Sequence, residues 1–151
     1  MKSLGARLIA AMLMVGALTG FGLGIPMFRS AFKRRVKNSL PLLASYGVMW
    51  FGLFAWTFYV GIELWKEMAT GYRWATILYA AQIFKITLPG LSYEFFTGAR
   101  FQWMLTQGET PSSFEVGSAA EIYLSPQISH KEVGVNIVAL AVVLYLLWLK
   151  S

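Results

Sequence analysis

The chain has 151 residues and a net charge of +6, and 57% of the residues are hydrophobic while only 13% are charged. Because a soluble domain carries about 25% charged residues, this composition predicts an integral membrane protein rather than a soluble enzyme or a nucleic-acid-binding domain. The sequence contains no Cys, which excludes disulfide bonds and thiolate metal sites.

The first predicted span covers residues 8–28 and follows a short basic head. Its apolar stretch is longer than a usual signal-peptide core, so we expect a retained span rather than a cleaved one. Gly16, Gly20 and Gly24 repeat every four residues, which stacks small side chains into one groove for close helix packing. This glycine face can be interpreted in two ways. It either contacts another span of the same chain, or it forms a glycine zipper that builds a homo-oligomer.

A basic loop separates the first two apolar segments. Basic residues beside a span resist translocation, so the loop is expected on the cytoplasmic side, next to anionic lipid headgroups. Its basic residues are Arg29, Lys33, Arg34, Arg35 and Lys37.

The second predicted span covers residues 40–62 and carries an aromatic stripe along one side. Aromatic side chains recur there at every fourth residue, and helix packing and lipid contact explain such a stripe better than a cofactor site does. The stripe consists of Tyr46, Trp50, Phe54 and Phe58.

The third apolar segment, predicted at 74–96, carries two polar residues, Gln82 and Lys85. One Lys at the centre of a span raises the free energy of membrane insertion by about 3 kcal/mol, and six strongly apolar residues lower it by roughly the same amount. The segment is therefore predicted either as a third span whose Lys85 reaches the membrane surface or as a re-entrant or interfacial helix. On a helix, Gln82 and Lys85 would share one face, so they are the candidate intramembrane polar lining of a conduit.

Residues 97–129 are more polar and are predicted as a loop outside the bilayer. The final span is predicted at 133–149. Ser129 and Glu132 precede it with the Ser-x-x-Glu spacing of a capping box, so they are expected to cap this helix.

The sequence thus predicts an all-α fold, with one integral membrane domain over residues 1–151. The expected architecture is a bundle of four transmembrane helices, or of three with a re-entrant or interfacial segment. The sequence shows no nucleophile elbow, metalloprotease motif, phosphate-binding loop or dinucleotide fingerprint. The chain has one His and no Cys or Asp, so few side chains other than Glu and Lys could act as a general acid or base. We therefore expect no catalytic residues, no metal, no cofactor and no nucleic acid partner.

The expected partners are the lipid bilayer and either other membrane subunits or further copies of this chain. The leading hypothesis is a structural, non-enzymatic subunit that packs into a larger membrane-embedded assembly. One alternative is a homo-oligomeric pore, a holin-like protein or a small transporter, and another is a membrane immunity or exclusion protein. Any of these functions would place the chain in a bacterial inner membrane or a phage-associated membrane.

Overall fold

The computed structural model describes residues 2–33, 40–105, 112–125 and 131–150. Within these ranges the chain combines helices with one antiparallel sheet. The elements in chain order are α1 (Lys2–Lys33), α2 (Leu40–Trp65), α3 (Ala69–Ala81), β1 (Phe84–Leu88), β2 (Gly90–Met104), β3 (Ser113–Ser125), β4 (Glu132–Asn136) and α4 (Ile137–Lys150).

The prediction of an all-α bundle of four spans is wrong, because the second half of the chain is largely sheet. The predicted 74–96 span begins as part of α3, but the helix ends at Ala81 and the chain continues into β1 and β2. The predicted 97–129 loop instead contributes to a long β2–β3 hairpin, whose two strands pair over most of their length. The hydrophobic composition of these segments therefore reflects buried strands as well as helices.

The predicted 133–149 span is also wrong in its first part, which forms β4. The helix that follows, α4, has 14 residues and is therefore about 21 Å long. The hydrocarbon core of a bilayer is about 30 Å thick, so α4 is too short to cross it unaided.

Two helices in the described part of the chain are long and apolar enough to cross a membrane. They are Leu4–Ser30 within α1 and Ala44–Trp65 within α2, with mean hydropathies of 2.1 and 1.3. The two helices lie antiparallel, because Gly24 of α1 contacts Trp50 of α2 while Gly61, near the other end of α2, contacts Met14. In both helices 39% of the most apolar stretch is buried inside the chain.

A tight turn at Pro89-Gly90 joins β1 to β2 and places Leu88 opposite Leu91. Gly90 has a φ of +87°, and a Pro followed by a Gly with positive φ is the residue pair that a type II turn favours. On its other side β1 pairs with β4, and β4 also pairs with the C-terminal part of β2. The strand order in the sheet is β1-β4-β2-β3. Because β1 also pairs with β2, each of the strands β1, β4 and β2 pairs with the other two.

The N-terminal cap of α4 lies at Asn136, not at the predicted capping box. Asn136 Oδ1 accepts a hydrogen bond from the amide of Ala139 at 3.3 Å, which is the bond an N-cap residue makes to the third helical position. Glu132 instead begins β4, opposite Thr87 of β1, and Ser129 lies outside the described residues. Because the β4 backbone forms the hydrogen bonds of the sheet up to residue 136, the helix can begin only after that residue.

Replacing Asn136 with Ala is therefore expected to lower the free energy of unfolding by about 1 kcal/mol, the usual cost of losing an N-cap. Asn136→Ser keeps a capping oxygen and should retain most of that stability. Thermal unfolding in detergent, followed by circular dichroism, measures both variants. An equal loss in the two variants would show that the cap does not stabilise α4.

Candidate functional site

The glycine face of α1 lies against other segments of the same chain. A Cβ added to Gly20 would lie 2.5 Å from the ring of Phe54, and one added to Gly24 would lie 2.7 Å from Trp50 Nε1. The Trp50 indole also donates a hydrogen bond to the Gly20 carbonyl at 3.1 Å. The small residues of α1 thus provide the space that the aromatic stripe of α2 fills, because both repeat at four-residue spacing.

Gly16 has a different partner, which is the β2–β3 hairpin. A Cβ at this position would overlap the Thr97 side chain and the amide nitrogen of Gly98. The Ser118 hydroxyl of β3 donates a hydrogen bond to the Gly16 carbonyl. Gly98 has a φ of +92°, and a Cβ there would lie 3.1 Å from the Met12 carbonyl oxygen. Helix and hairpin therefore meet backbone to backbone, which only glycine at both positions permits.

An ion network crosses the sheet next to this contact. Glu94 of β2 binds Lys85 of β1 at 3.2 Å through one carboxylate oxygen and Arg100 through the other. Arg100 also binds Glu115 of β3 at 2.7 Å, and its guanidinium lies 4.1 Å from the ring centroid of Phe96. Two basic and two acidic side chains thus balance each other within the chain.

The strand register explains why these charges meet. Arg100 and Glu115 are direct partners across the β2–β3 hairpin. The ladder between β1 and β2 includes Ile86↔Tyr93, so Lys85 and Glu94 are the next two residues along the same register. Opposite charges that face each other across neighbouring strands stabilise a sheet.

The predicted polar pair on a third span does not form, because Gln82 and Lys85 lie on different elements. Gln82 ends α3 as its C-cap residue, is 2% exposed, and accepts a hydrogen bond from the Thr97 amide at 3.0 Å. Lys85 lies in β1 and pairs with Glu94. Both side chains therefore have partners inside the chain rather than a shared helix face.

An apolar groove lies between α2, α3 and the β2–β3 hairpin. Its volume is about 280 Å³, and among the described residues that line it Glu94 is the only charged one. The rim includes Met49, Trp56 and Ile77, which are 49%, 36% and 44% exposed. The groove is thus an open apolar cleft rather than a sealed cavity.

The polar side chains in the groove wall bond elsewhere in the chain. The Tyr93 hydroxyl donates to the Ala81 carbonyl at 2.7 Å, and burial raises the pKa of this hydroxyl above its ordinary value, which keeps it a donor. The Trp50 indole is bonded to the Gly20 carbonyl, and both oxygens of Glu94 are held by Lys85 and Arg100. The groove therefore offers mainly apolar surface to a ligand.

The predicted basic loop falls largely on residues outside the described ranges. Arg29 is exposed near the end of α1, and α1 ends at Lys33. Arg34, Arg35 and Lys37 lie outside the described residues. Their roles in orientation and lipid contact stay predictions.

Within the described ranges, no group of three or more His, Cys, Asp or Glu side chains is arranged to hold a metal ion. The acidic residues Glu94 and Glu115 are held by basic side chains instead. Sequence reasoning missed Glu94, Arg100 and Glu115 as a group. The turn signal at Pro89-Gly90 could have paired Lys85 with Glu94, because it sets the register of β1 against β2. It does not set the register of β2 against β3, which brings Arg100 to Glu115.

Comparisons of the chain with family models, curated proteins and solved structures found no match.

Proposed function

We propose that the chain is a structural, non-enzymatic subunit of a larger membrane-embedded assembly. The β2–β3 hairpin packs against Gly16, near the middle of the apolar stretch Leu4–Ser30 of α1. If α1 crosses a bilayer, the strands that contact Gly16 lie at membrane depth. Lipid supplies no hydrogen bonds there, so the edge of such a sheet has to be covered by protein.

The strand that needs a cover is β3. It lies at the end of the sheet order, and in the described ranges it pairs only with β2. Phe114 and Val116 of β3 are 65% and 73% exposed. The Ala120 carbonyl of β3 already accepts a hydrogen bond from the Tyr46 hydroxyl of α2 at 3.1 Å. A neighbouring subunit that adds a strand beside Phe114 and Val116 would pair with the backbone there and bury both apolar side chains.

The outer surfaces of the helices support a membrane environment. Large exposed apolar patches on a folded protein mark contact with a membrane or another protein. Large hydrophobic side chains are exposed on α1, α2 and α4, and they include Leu4, Leu8, Val15, Leu18, Leu23, Val48, Tyr59, Leu144, Leu147 and Trp148. A bacterial inner membrane or a phage-associated membrane would cover these side chains with lipid and with neighbouring subunits.

The pairing of the charged side chains in the sheet supports a packing role over catalysis or transport. Lys85, Glu94, Arg100 and Glu115 neutralise one another, as charged groups inside membranes usually do. A homo-oligomeric pore, holin-like protein or small transporter would need polar groups that face a shared channel. An immunity or exclusion protein would need a surface for an incoming toxin or phage, and we propose neither of these in preference to a packing subunit.

Cross-linking in intact membranes tests the proposal, because a chain without Cys accepts single-Cys variants on a clean background. Each thiol is first alkylated with a maleimide that carries a photoactivatable benzophenone. On irradiation, Val116→Cys on β3 should cross-link to a neighbouring subunit. Val48→Cys on α2, at 75% exposure compared with 73% for Val116, should face lipid and give little product. Alkaline carbonate washing of the same membranes should leave the chain in the pellet.

Release of the chain by carbonate would overturn the membrane assignment. Equal cross-linking at the two positions would overturn the assignment of β3 to an interface. Products with only the mass of two copies of the chain would favour the homo-oligomeric alternative.

A further inference from the structure

The groove between α2, α3 and the hairpin has the chemistry of a site for an apolar ligand. Tyr93, Trp50 and Glu94 direct their polar atoms to partners within the chain. A charged or strongly polar ligand would lose its hydration in this groove without gaining hydrogen bonds, which costs free energy. An apolar ligand has no hydrated polar groups, so it does not incur this cost.

The volume of the groove is that of a small ligand site. A volume of about 280 Å³ is close to the lower end of the range of ligand pockets, which is roughly 300–1,000 Å³. An unbranched hydrocarbon chain carries no polar atoms that the apolar wall of this groove would leave without a hydrogen-bond partner.

The position of the groove indicates where such a chain would come from. Its rim residues Met49 and Trp56 lie on the candidate span Ala44–Trp65, well inside the ends of that span. If α2 crosses a bilayer, the groove opens into the hydrocarbon region, where lipid acyl chains are the most concentrated apolar ligand.

We propose that this groove binds one acyl chain of a bilayer phospholipid. The inference rests on the proposed membrane location of the chain. The bound acyl chain would lie along α2, between Trp56 and Ile77 at the rim and Phe95 at the base. It would thereby fill the space between the helices and the sheet, while the headgroup stays outside the groove.

Photolabelling in nanodiscs tests the site. The purified chain is reconstituted with phosphatidylcholine that carries a diazirine in one acyl chain, irradiated and mapped by peptide mass spectrometry. Labelling is expected to concentrate on groove residues such as Leu53 and Phe95. Ala81→Phe, in the groove wall, should lower labelling of these residues at least about fivefold, because the added ring occupies the space of the acyl chain.

Ala80→Phe is the matched control, since Ala80 is the exposed neighbour of Ala81 and does not line the groove; labelling should stay at the parental level. Ile77→Trp, at the rim, provides a second blocking variant if Ala81→Phe folds poorly by circular dichroism. Labels spread evenly over the exposed faces, or unchanged by both blocking variants, would overturn the acyl-chain site alone. Failure of the parent chain to enter nanodiscs would overturn the site and the membrane proposal together.

Discussion

Replacing Arg100 with Met is expected to lower the free energy of unfolding by about 2–3 kcal/mol, because it removes charge-assisted hydrogen bonds to two carboxylates and leaves Glu94 with Lys85 as its remaining partner in the network. The Arg100 side chain is 8% exposed, and its partner Glu94 is 16% exposed. Met retains most of the apolar stem of Arg100, so the loss reports mainly the charge and the contact with the Phe96 ring. Denaturant or thermal unfolding in detergent, followed by circular dichroism, measures the change.

Two further variants separate the buried charge from its neighbours. Glu115→Gln keeps an oxygen that can accept from Arg100 and leaves Arg100 paired with Glu94, so it should cost only about 1 kcal/mol. Combining Arg100→Met with Glu94→Gln removes the carboxylate left without its main partner, and the double variant should recover part of the stability lost in Arg100→Met. If Arg100→Met costs no more than Glu115→Gln, the network does not stabilise the sheet.

This network could not be predicted from local sequence, because its geometry depends on strand pairing. Arg100 and Glu115 are 15 residues apart in sequence and meet only because the β2–β3 hairpin places them opposite each other. Lys85 and Glu94 meet only because the chain reverses at Pro89-Gly90. When residues 74–96 are treated as a helix, Lys85 becomes a costly intramembrane charge, whereas in the sheet it has a partner.

The helices α1 and α2 were predictable because their signals are local. Each contains an apolar run long enough to span a bilayer, and the four-residue spacing of glycines on one and aromatics on the other matches helix geometry. The spacing could not distinguish the partners of the glycines. Gly20 and Gly24 contact aromatic rings of α2, whereas Gly16 contacts β2. The contact of Gly16 could not be predicted, because the prediction contained no hairpin.

The sheet was missed because apolar strands that are packed on both faces resemble buried helices in composition. In β2 both Phe95 and Phe96 are buried, at 7% and 5% exposure. Adjacent buried aromatics break the alternation that identifies a half-buried strand. The type II turn at Pro89-Gly90 was the one local feature that argued for strands on either side of it.

Gly16→Ala is expected to cost about 3 kcal/mol, the upper end of the usual range for overpacking, because the added methyl group would overlap main-chain atoms that cannot rotate away. Those atoms belong to Thr97 and Gly98 of β2. Gly22→Ala is the matched control, since a Cβ at Gly22 would have no neighbour within 4 Å. On helix propensity alone, this control should be neutral or gain up to about 1 kcal/mol.

The same pair of variants distinguishes the two interpretations of the glycine face. If Gly16 serves the contact with the hairpin, Gly16→Ala should make the β2–β3 hairpin sensitive to protease, while Gly22→Ala leaves it protected. If Gly16 serves a homo-oligomeric zipper, Gly16→Ala should lower the native mass in detergent while the hairpin stays protected. Limited proteolysis and native mass spectrometry on the same samples therefore measure separately whether α1 uses this glycine to hold its own sheet or another copy of the chain.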